Sequence, residues 1–118
     1  MDIQKLEQYI ISIWPMPAEK ARLFATQFEY VELNKNELLL QEGKTSKATY
    51  FLESGYIRSF TMSNEGEEVT TNIFSAPCFL NDFLAFFRQM PTNEDYQALT
   101  TCGIWKMSYE AVQMNFHT

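Results

Sequence analysis

Three glycines divide the middle of this chain at a nearly constant interval. Gly43, Gly55 and Gly66 lie eleven or twelve residues apart, and the segments between them are rich in β-branched and aromatic residues. Such an interval leaves room for one strand of about five to eight residues and one turn. The spacing therefore predicts a mainly β fold, either a sandwich or a closed β-roll.

The length and composition favour a single globular domain. A chain of 118 residues does not accommodate two independent domains, and its aromatic content of 15% supplies a core without disulfides or a structural metal. The formal net charge of -6 is opposite in sign to a surface that grips nucleic-acid phosphates. We therefore expect no DNA binding by these residues alone.

The few cysteines and histidines restrict the chemistry that the chain can perform. Cys78 and Cys102 are too few for a cluster held by four thiolates or a finger-type zinc site, and we expect two small buried thiols rather than a redox pair. His117 is the only imidazole, so a nucleophile with its base is not expected. The sequence predicts a protein that is not an enzyme and carries no cofactor or metal.

No segment of the sequence suggests a membrane span or a secretory leader. The apolar runs are shorter than the roughly 20 residues that cross a bilayer, and the first residues, MDIQKLEQYI, lack a basic region followed by an apolar one. We therefore expect a cytoplasmic protein without membrane contact.

The N-terminal part of the chain has helical periodicity. Apolar residues recur at helical spacing from Ile3 to Ile13, which predicts an amphipathic helix over 2–14. Pro17 predicts the start of a second, short helix that ends near Thr26. We expect both helices to dock on the β-roll through their apolar faces.

From residue 28 onward the pattern is that of strands joined by turns. The predicted strands are 28–33, 36–41, 48–53, 56–62, 68–74, 95–101 and 103–108, and a hairpin at 63–67 joins two of them. Ser108 is a predicted N-cap for a final helix over YEAVQMNF. These elements support one β domain with a helix at each end.

One segment interrupts the strand pattern. Phe79, Phe83, Phe86 and Phe87 follow one another at helical spacing between Pro77 and Pro91, which predicts a short helix that packs its phenylalanines on the roll. Asn81 is its predicted N-cap, and Asp82 its first-turn carboxylate.

With these elements placed, residues 18–116 resemble the effector domain of Crp/Fnr-type transcription regulators, the cyclic AMP receptor protein family. The resemblance is carried by the run LLLQEGKTSKATYFLESGYIRSF, the acidic hairpin, the helix after Pro77, and the closing run CGIWKMSYEA. It implies a double-stranded β-helix, a jelly-roll-like β-roll, flanked by N-terminal helices, with a short helix in the cassette and the start of a C-terminal helix.

In that family the β-roll holds a cyclic nucleotide in a cassette. Its pattern is Phe, any residue, Gly, Glu, Leu and, after a loop, Arg, Ser or Thr, Ala. On this chain the cassette begins at Phe79, and the next positions are occupied by Asn81, Asp82, Phe83, Thr92, Asn93 and Glu94. The resemblance implies that Thr92 stands where an arginine neutralises the cyclic phosphate.

These departures predict a degenerate phosphate-binding cassette. Asn81 carries a Cβ where glycine allows close approach, and Asp82 is one methylene shorter than glutamate. Loss of the arginine costs about 2 to 5 kcal/mol of binding energy. Between Ser59 and Trp105 six acids face a single base, Arg88, which would have to turn inward to replace the missing guanidinium. We therefore predict no binding of cyclic AMP or cyclic GMP at physiological concentrations.

The same region contains neutral polar side chains. Thr71 and Asn72 precede the cassette, and with Asn81, Thr92 and Asn93 they would line a neutral pocket for an effector of unknown identity. The alternative is that these side chains satisfy one another and nearby backbone groups.

The resemblance implies an effector-sensing and dimerisation domain of a bacterial transcription regulator. The helix that follows Ser108 would then continue as the dimer-forming helix of a homodimer, and a DNA-binding helix-turn-helix domain, absent from these residues, would follow it. A second possibility is a stand-alone module or one attached to a kinase or channel. A cupin-like enzyme is a remote third, because such enzymes need clustered histidines.

Overall fold

The computed structural model describes residues 3–13, 15–80 and 88–116. Within this part of the chain the helices are α1 Ile3–Ile13, α2 Ala18–Ala25 and α3 Tyr109–Phe116. The strands are β1 Glu29–Leu33, β2 Leu38–Leu40, β3 Ala48–Ser54, β4 Tyr56–Met62, β5 Glu68–Ser75, β6 Cys78–Leu80, β7 Asp95–Ala98 and β8 Cys102–Ser108. The mainly β fold and the two N-terminal helices are confirmed.

The strands form two four-stranded antiparallel sheets. The first sheet has the order β1-β8-β3-β6, and the second has the order β2-β7-β4-β5. Apart from the β4–β5 hairpin, neighbours in a sheet are distant in the sequence, because the other consecutive strands, such as β1 and β2, enter different sheets. This arrangement is the expected jelly-roll-like β-roll.

The main core lies between the two sheets. Its side chains alternate along each strand with residues of the outer faces, as the two-residue period of a strand requires. Leu52 and Ile104 of the first sheet and Ile57 and Ala98 of the second are fully buried. Inward and outward positions can therefore be assigned along β4 and β7.

A second core joins the N-terminal helices to the outer face of the first sheet. Leu6 and Ile10 of α1 are fully buried there against Phe51 and Trp105. The ring of Phe51 lies 4.8 Å from the ring of Tyr9, measured between centroids. The predicted docking of both helices through their apolar faces is confirmed, since α2 buries Ala21 and Ala25 in the same cluster.

The glycine turns have the backbone geometry that their spacing predicts. Gly43, Gly55 and Gly66 all have positive φ angles, of 85°, 96° and 84°. At the β4–β5 hairpin, Ser63 donates its backbone N–H to the Glu67 carbonyl at 2.7 Å. The turn conformations that favour glycine thus coincide with the ends of strands.

The final helix begins where the sequence predicts. The backbone N–H of Ala111 donates to the Ser108 hydroxyl at 3.1 Å, which is the third-residue bond of an N-cap. Ser108 is also the last residue of β8, so the chain passes from strand to helix without a loop.

The prediction that Phe79 belongs to the phenylalanine stripe of a short helix is wrong. Phe79 lies in β6 and pairs with Phe51 of β3, at a ring-centroid distance of 5.3 Å. Three phenylalanines at helical spacing after it suggested the helix, but pairing with β3 places Phe79 in a strand. The rest of the predicted helix, from Asn81 to Phe87, lies outside the described residues.

Candidate functional site

The inner face of the second sheet carries a small group of hydroxyls. In the register of β4, Ser59 lies opposite Asn72 of β5 and opposite Tyr96 of β7. Ser59 is fully buried, and its hydroxyl oxygen lies 2.9 Å from the hydroxyl oxygen of Thr71. The Thr71 hydroxyl also donates to the Ser59 carbonyl at 3.2 Å. These groups are neutral, so the hydroxyls of Ser59 and Thr71 offer hydrogen bonds and no charge.

A β-bulge places two predicted site residues next to this serine. The register between β4 and β5 shifts after Ser59, so that Thr71 is an extra residue between the partners of Ser59 and Phe60. Asn72 follows it and accepts the backbone N–H of Ile73 through its side-chain oxygen at 2.9 Å. The structure thus brings Thr71 and Asn72 together, and both are exposed.

Sequence reasoning did not select Ser59, although a signal was present. Two residues after Ile57 on the same strand, Ser59 occupies an inward position that would ordinarily hold an apolar side chain. A buried hydroxyl at such a position requires a polar partner, which here is Thr71.

Two aromatic rings form an apolar wall beside these hydroxyls. Phe74 of β5 and Tyr96 of β7 stack with their centroids 5.8 Å apart and their planes 14° from parallel. Tyr96 belongs to the core between the sheets, and Phe74 packs against it. The inner face therefore combines flat apolar surface with neutral hydrogen-bonding groups.

Thr92 is buried and held by its backbone. It is 4% exposed, its N–H donates to the Lys44 carbonyl at 3.1 Å, and its carbonyl accepts the N–H of Gly43 at 2.9 Å. Its hydroxyl lies 3.4 Å from both the backbone N and the carbonyl O of Glu94. Asn93, beside it, is exposed. These bonds connect Thr92 to the loop after β2 and not to Thr71 or Asn72.

Arg58 is a cation on β4, directly before Ser59, that the sequence did not mark as a site residue. Its neighbour Ile57 points into the core, so Arg58 points to the outer face of the second sheet. There its guanidinium donates to Gln97 at 2.7 and 2.9 Å and to Glu68 at 2.7 Å, and lies 4.1 Å from the centre of the Phe60 ring. Arg58 therefore supplies no charge to the interior.

The Arg58 contacts join three strands and predict a measurable effect on stability. We expect Arg58→Ala to lower the free energy of unfolding by about 2 to 4 kcal/mol, because Glu68 and Gln97 lose a planar donor that lies on an aromatic ring. Arg22→Ala is a matched control, since the Arg22 side chain is 69% exposed and its long, 3.9 Å ion pair with Glu7 is worth less than about 1 kcal/mol. Urea unfolding measures both, and equal losses would contradict the role of Arg58.

The other predicted site residues are less informative in the structure. Asn81, Asp82 and Phe83 lie outside the described residues. Arg88 has an exposed side chain, and the following residue, Gln89, donates its side-chain amide to the Ser46 carbonyl at 3.0 Å. The expectation that Arg88 does not replace the cassette arginine stays a prediction.

The described residues contain two free thiols and no evident metal cluster. Cys102 is buried, Cys78 is half-buried, and burial raises the pKa of the Cys78 thiol above its ordinary value. A thiol with a raised pKa is protonated at neutral pH and is a poor nucleophile.

In the described part of the chain, no three His, Cys, Asp or Glu side chains are grouped so as to hold a metal ion. Among its helices, none has the length and hydropathy to cross a membrane.

Comparison with known families gives the site its context. The pattern of the cyclic nucleotide-binding domain matches residues 30–116, from the second residue of β1 to the last residue of α3. The chain belongs to the cyclic nucleotide-binding domain family. The matched residues include both sheets, so Ser59, Thr71 and Thr92 lie within the domain that defines the family.

Solved structures of three similar proteins share the fold of this cyclic nucleotide-binding domain. The sensor domain of the transcriptional regulator DNR from Pseudomonas aeruginosa has a TM-score of 0.78 at 17% identity, covering 99% of this chain and 81% of that one. The regulatory domain of Toxoplasma gondii PKA with cAMP has a TM-score of 0.83 at 14% identity, and the match covers 95% of this chain and 43% of that one. A regulatory subunit of a cAMP-independent protein kinase A from Trypanosoma cruzi, bound to guanosine, has a TM-score of 0.76 at 15% identity. The match covers 95% of this chain and 42% of that one.

These similarities support the fold and no more specific conclusion. The chain spans less than half of the length of the two kinase structures. Among curated proteins, no relative matches this chain.

Proposed function

We propose that this domain is the effector-sensing and dimerisation domain of a Crp/Fnr-type bacterial transcription regulator, and that its effector is not a cyclic nucleotide. The statement that the effector is not a cyclic nucleotide depends on one observation, the lack of a cationic side chain at the expected phosphate position. Thr92 occupies the position that the family resemblance assigns to the phosphate-binding arginine, and Arg58 is engaged on the outer face of the second sheet.

A cyclic phosphate would enter this interior without a matching charge. Among the described residues of the inner face, the groups beside Ser59 are hydroxyls, an amide and aromatic rings. Burying an anion without a charged partner costs several kcal/mol, because its hydration is lost and not replaced. The absence of the arginine alone corresponds to a loss in affinity of about thirty-fold to several thousand-fold.

The same groups favour a neutral, flat ligand. The half-buried ring of Phe74, which stacks on Tyr96, offers apolar surface to a planar ring, and Thr71 and Asn72 offer hydrogen bonds to its polar edge. A fold relative bound to guanosine, which carries no phosphate, provides a precedent for such a ligand. We infer that the effector class is neutral and nucleoside-like.

Isothermal titration calorimetry tests this inference directly. The chain is titrated separately with cyclic AMP, cyclic GMP, adenosine and guanosine at the same ionic strength. We expect both cyclic nucleotides to give no saturable heat at concentrations up to about 100 μM, because the charge-assisted bonds to the phosphate are missing. At least one of the two nucleosides is expected to bind more tightly than its cyclic nucleotide.

A conservative variant serves as the control for the location of binding. Thr71→Val removes a hydroxyl and keeps the shape, so nucleoside affinity should fall by roughly tenfold, the equivalent of one lost hydrogen bond. A micromolar dissociation constant for either cyclic nucleotide would refute the proposal. Nucleoside binding that is unchanged in the Thr71 variant would place the ligand elsewhere.

The regulator role has a competing interpretation. The domain resembles kinase regulatory domains as closely in fold as it resembles the DNR sensor domain, and similarity at this level of identity shows the fold alone. We propose the regulator because the DNR sensor domain is matched over 81% of its length. The gene sequence beyond the codon for Thr118 separates the two: a helix-turn-helix pattern supports the regulator, and a kinase or channel sequence excludes it.

A further inference from the structure

A cavity away from the inner face of the second sheet is lined by two lysines. It has a volume of about 340 Å³ and lies along β2 and the loop that follows it. Its walls are formed by Leu38, Leu39, Leu40, Gln41, Lys44, Thr45, Ser46, Lys47 and Tyr50. This set contains two cationic side chains and no acidic one, in a chain whose net charge is -6.

The two ammonium groups are available to a ligand. Lys44 and Lys47 are both exposed, and among the described residues neither forms an ion pair. The loop also contains an acid, Glu42, which does not line the cavity.

The backbone of the loop is held in place before any ligand arrives. The Lys44 carbonyl accepts the N–H of Thr92 at 3.1 Å, and the Lys47 carbonyl accepts the N–H of Tyr109, the first residue of α3, at 2.8 Å. Inside the loop, the Ser46 hydroxyl donates to the Ala48 carbonyl at 2.7 Å. Such fixed geometry lowers the entropy lost when a ligand binds.

We propose that this cavity is a second ligand site, separate from the interior of the roll, for a small anion with phosphoryl or carboxylate groups. Lys44 and Lys47 hold the anion from two sides, as flexible point charges do in many phosphate sites. Because Lys44 is bonded to the segment that contains Thr92 and Lys47 to the start of α3, the bound anion links these two segments. The site therefore couples the region of the cassette to the terminal helix.

Calorimetry of the whole chain with inorganic pyrophosphate, and separately with citrate, tests the site. We expect saturable binding of at least one anion at low ionic strength, weakening as salt is added. The double variant Lys44→Gln with Lys47→Gln should bind it at least about tenfold more weakly, because both charges are removed and the side-chain length is nearly kept. The anion that binds identifies the chemical group.

A matched variant removes the same charge from another surface. Lys20→Gln with Arg22→Gln changes two exposed cations of α2 and should leave the affinity for the anion within about twofold. An equal loss of affinity in both double variants would show that the anion responds only to the net charge of the chain, and would overturn the site. The absence of saturable heat with both anions would also overturn it.

A second measurement examines the coupling and does not depend on the variants folding equally well. In the unaltered chain, the bound anion should slow hydrogen exchange of the Tyr109 amide, whose bond to the Lys47 carbonyl it stabilises. The exchange rate of the Gly66 amide in the distant β4–β5 hairpin should stay the same. Unchanged protection of Tyr109 at saturating anion would contradict the proposed link.

Discussion

Replacing Gly55 by alanine is expected to lower the free energy of unfolding by about 3 to 5 kcal/mol, measured by urea denaturation. Gly55 has a φ of 96°, which alone costs an alanine about 1 to 3 kcal/mol. A Cβ at this position would also lie 2.7 Å from the Thr101 carbonyl oxygen and 2.7 Å from the Cys102 sulfur. The backbone oxygen moves only if the β8 end of the first sheet shifts.

Gly66→Ala is the matched control for that prediction. Gly66 has a similar φ of 84°, but an added Cβ there would meet no atom within 4 Å. We expect a loss of about 1 kcal/mol, due to the backbone conformation alone. The difference between the two variants isolates the packing around Gly55, and similar losses at both glycines would contradict the close approach of the Thr100–Cys102 segment to the β3–β4 turn.

Replacing Phe51 by alanine is expected to cost about 3 to 5 kcal/mol of unfolding free energy. Phe51 is 1% exposed and contacts Tyr9 of α1 and Phe79 of β6, so its loss leaves a cavity between α1 and the first sheet. Hydrogen exchange should show a further effect, with the amides of α1 losing more protection than those of β4.

Phe51→Leu separates the loss of volume from the loss of the aromatic contacts. Leucine keeps most of the buried apolar area, and we expect a loss below about 2 kcal/mol. If α1 keeps its full protection in the alanine variant, the helix is not held by this ring, and the second core would have to depend on Leu6 and Trp105 instead.

The elements that were predicted well are those whose signals are local. The helix α1 repeats its apolar residues every three to four positions, and Leu6 and Ile10 are buried as that period requires. Ser108 caps α3 through a bond that spans only three residues. In both cases the residues that cause the structure are neighbours in the sequence, so no knowledge of the tertiary structure was needed.

The strand at Phe79 and the contacts of Arg58 both depend on residues that are distant in the sequence. Phe79 belongs to β6 because Phe51, 28 positions earlier, pairs with it. Arg58 reaches Gln97, a partner 39 positions later, and Glu68 on another strand. Neither partner can be identified from the period or composition of a short window, because pairing between strands depends on which segments the roll brings side by side.

For the candidate sites, the sequence supplied residue types and the structure supplied their neighbours. The absence of arginine at Thr92 was visible in the sequence, and so was the excess of acids around it. The partnership of Ser59 with Thr71 and the grouping of Lys44 with Lys47 around one cavity became visible only in the folded chain.

The sequence by itself determined that this protein is a mainly β domain with amphipathic helices at its ends, because strand and helix periods, turn glycines and caps act over a few residues. Only the tertiary structure decided which charged side chains face the interior, because one step along a strand moves a side chain to the other face of the sheet. It also decided which hydroxyls form hydrogen bonds with each other, because the pairing of distant strands selects the partner of each side chain.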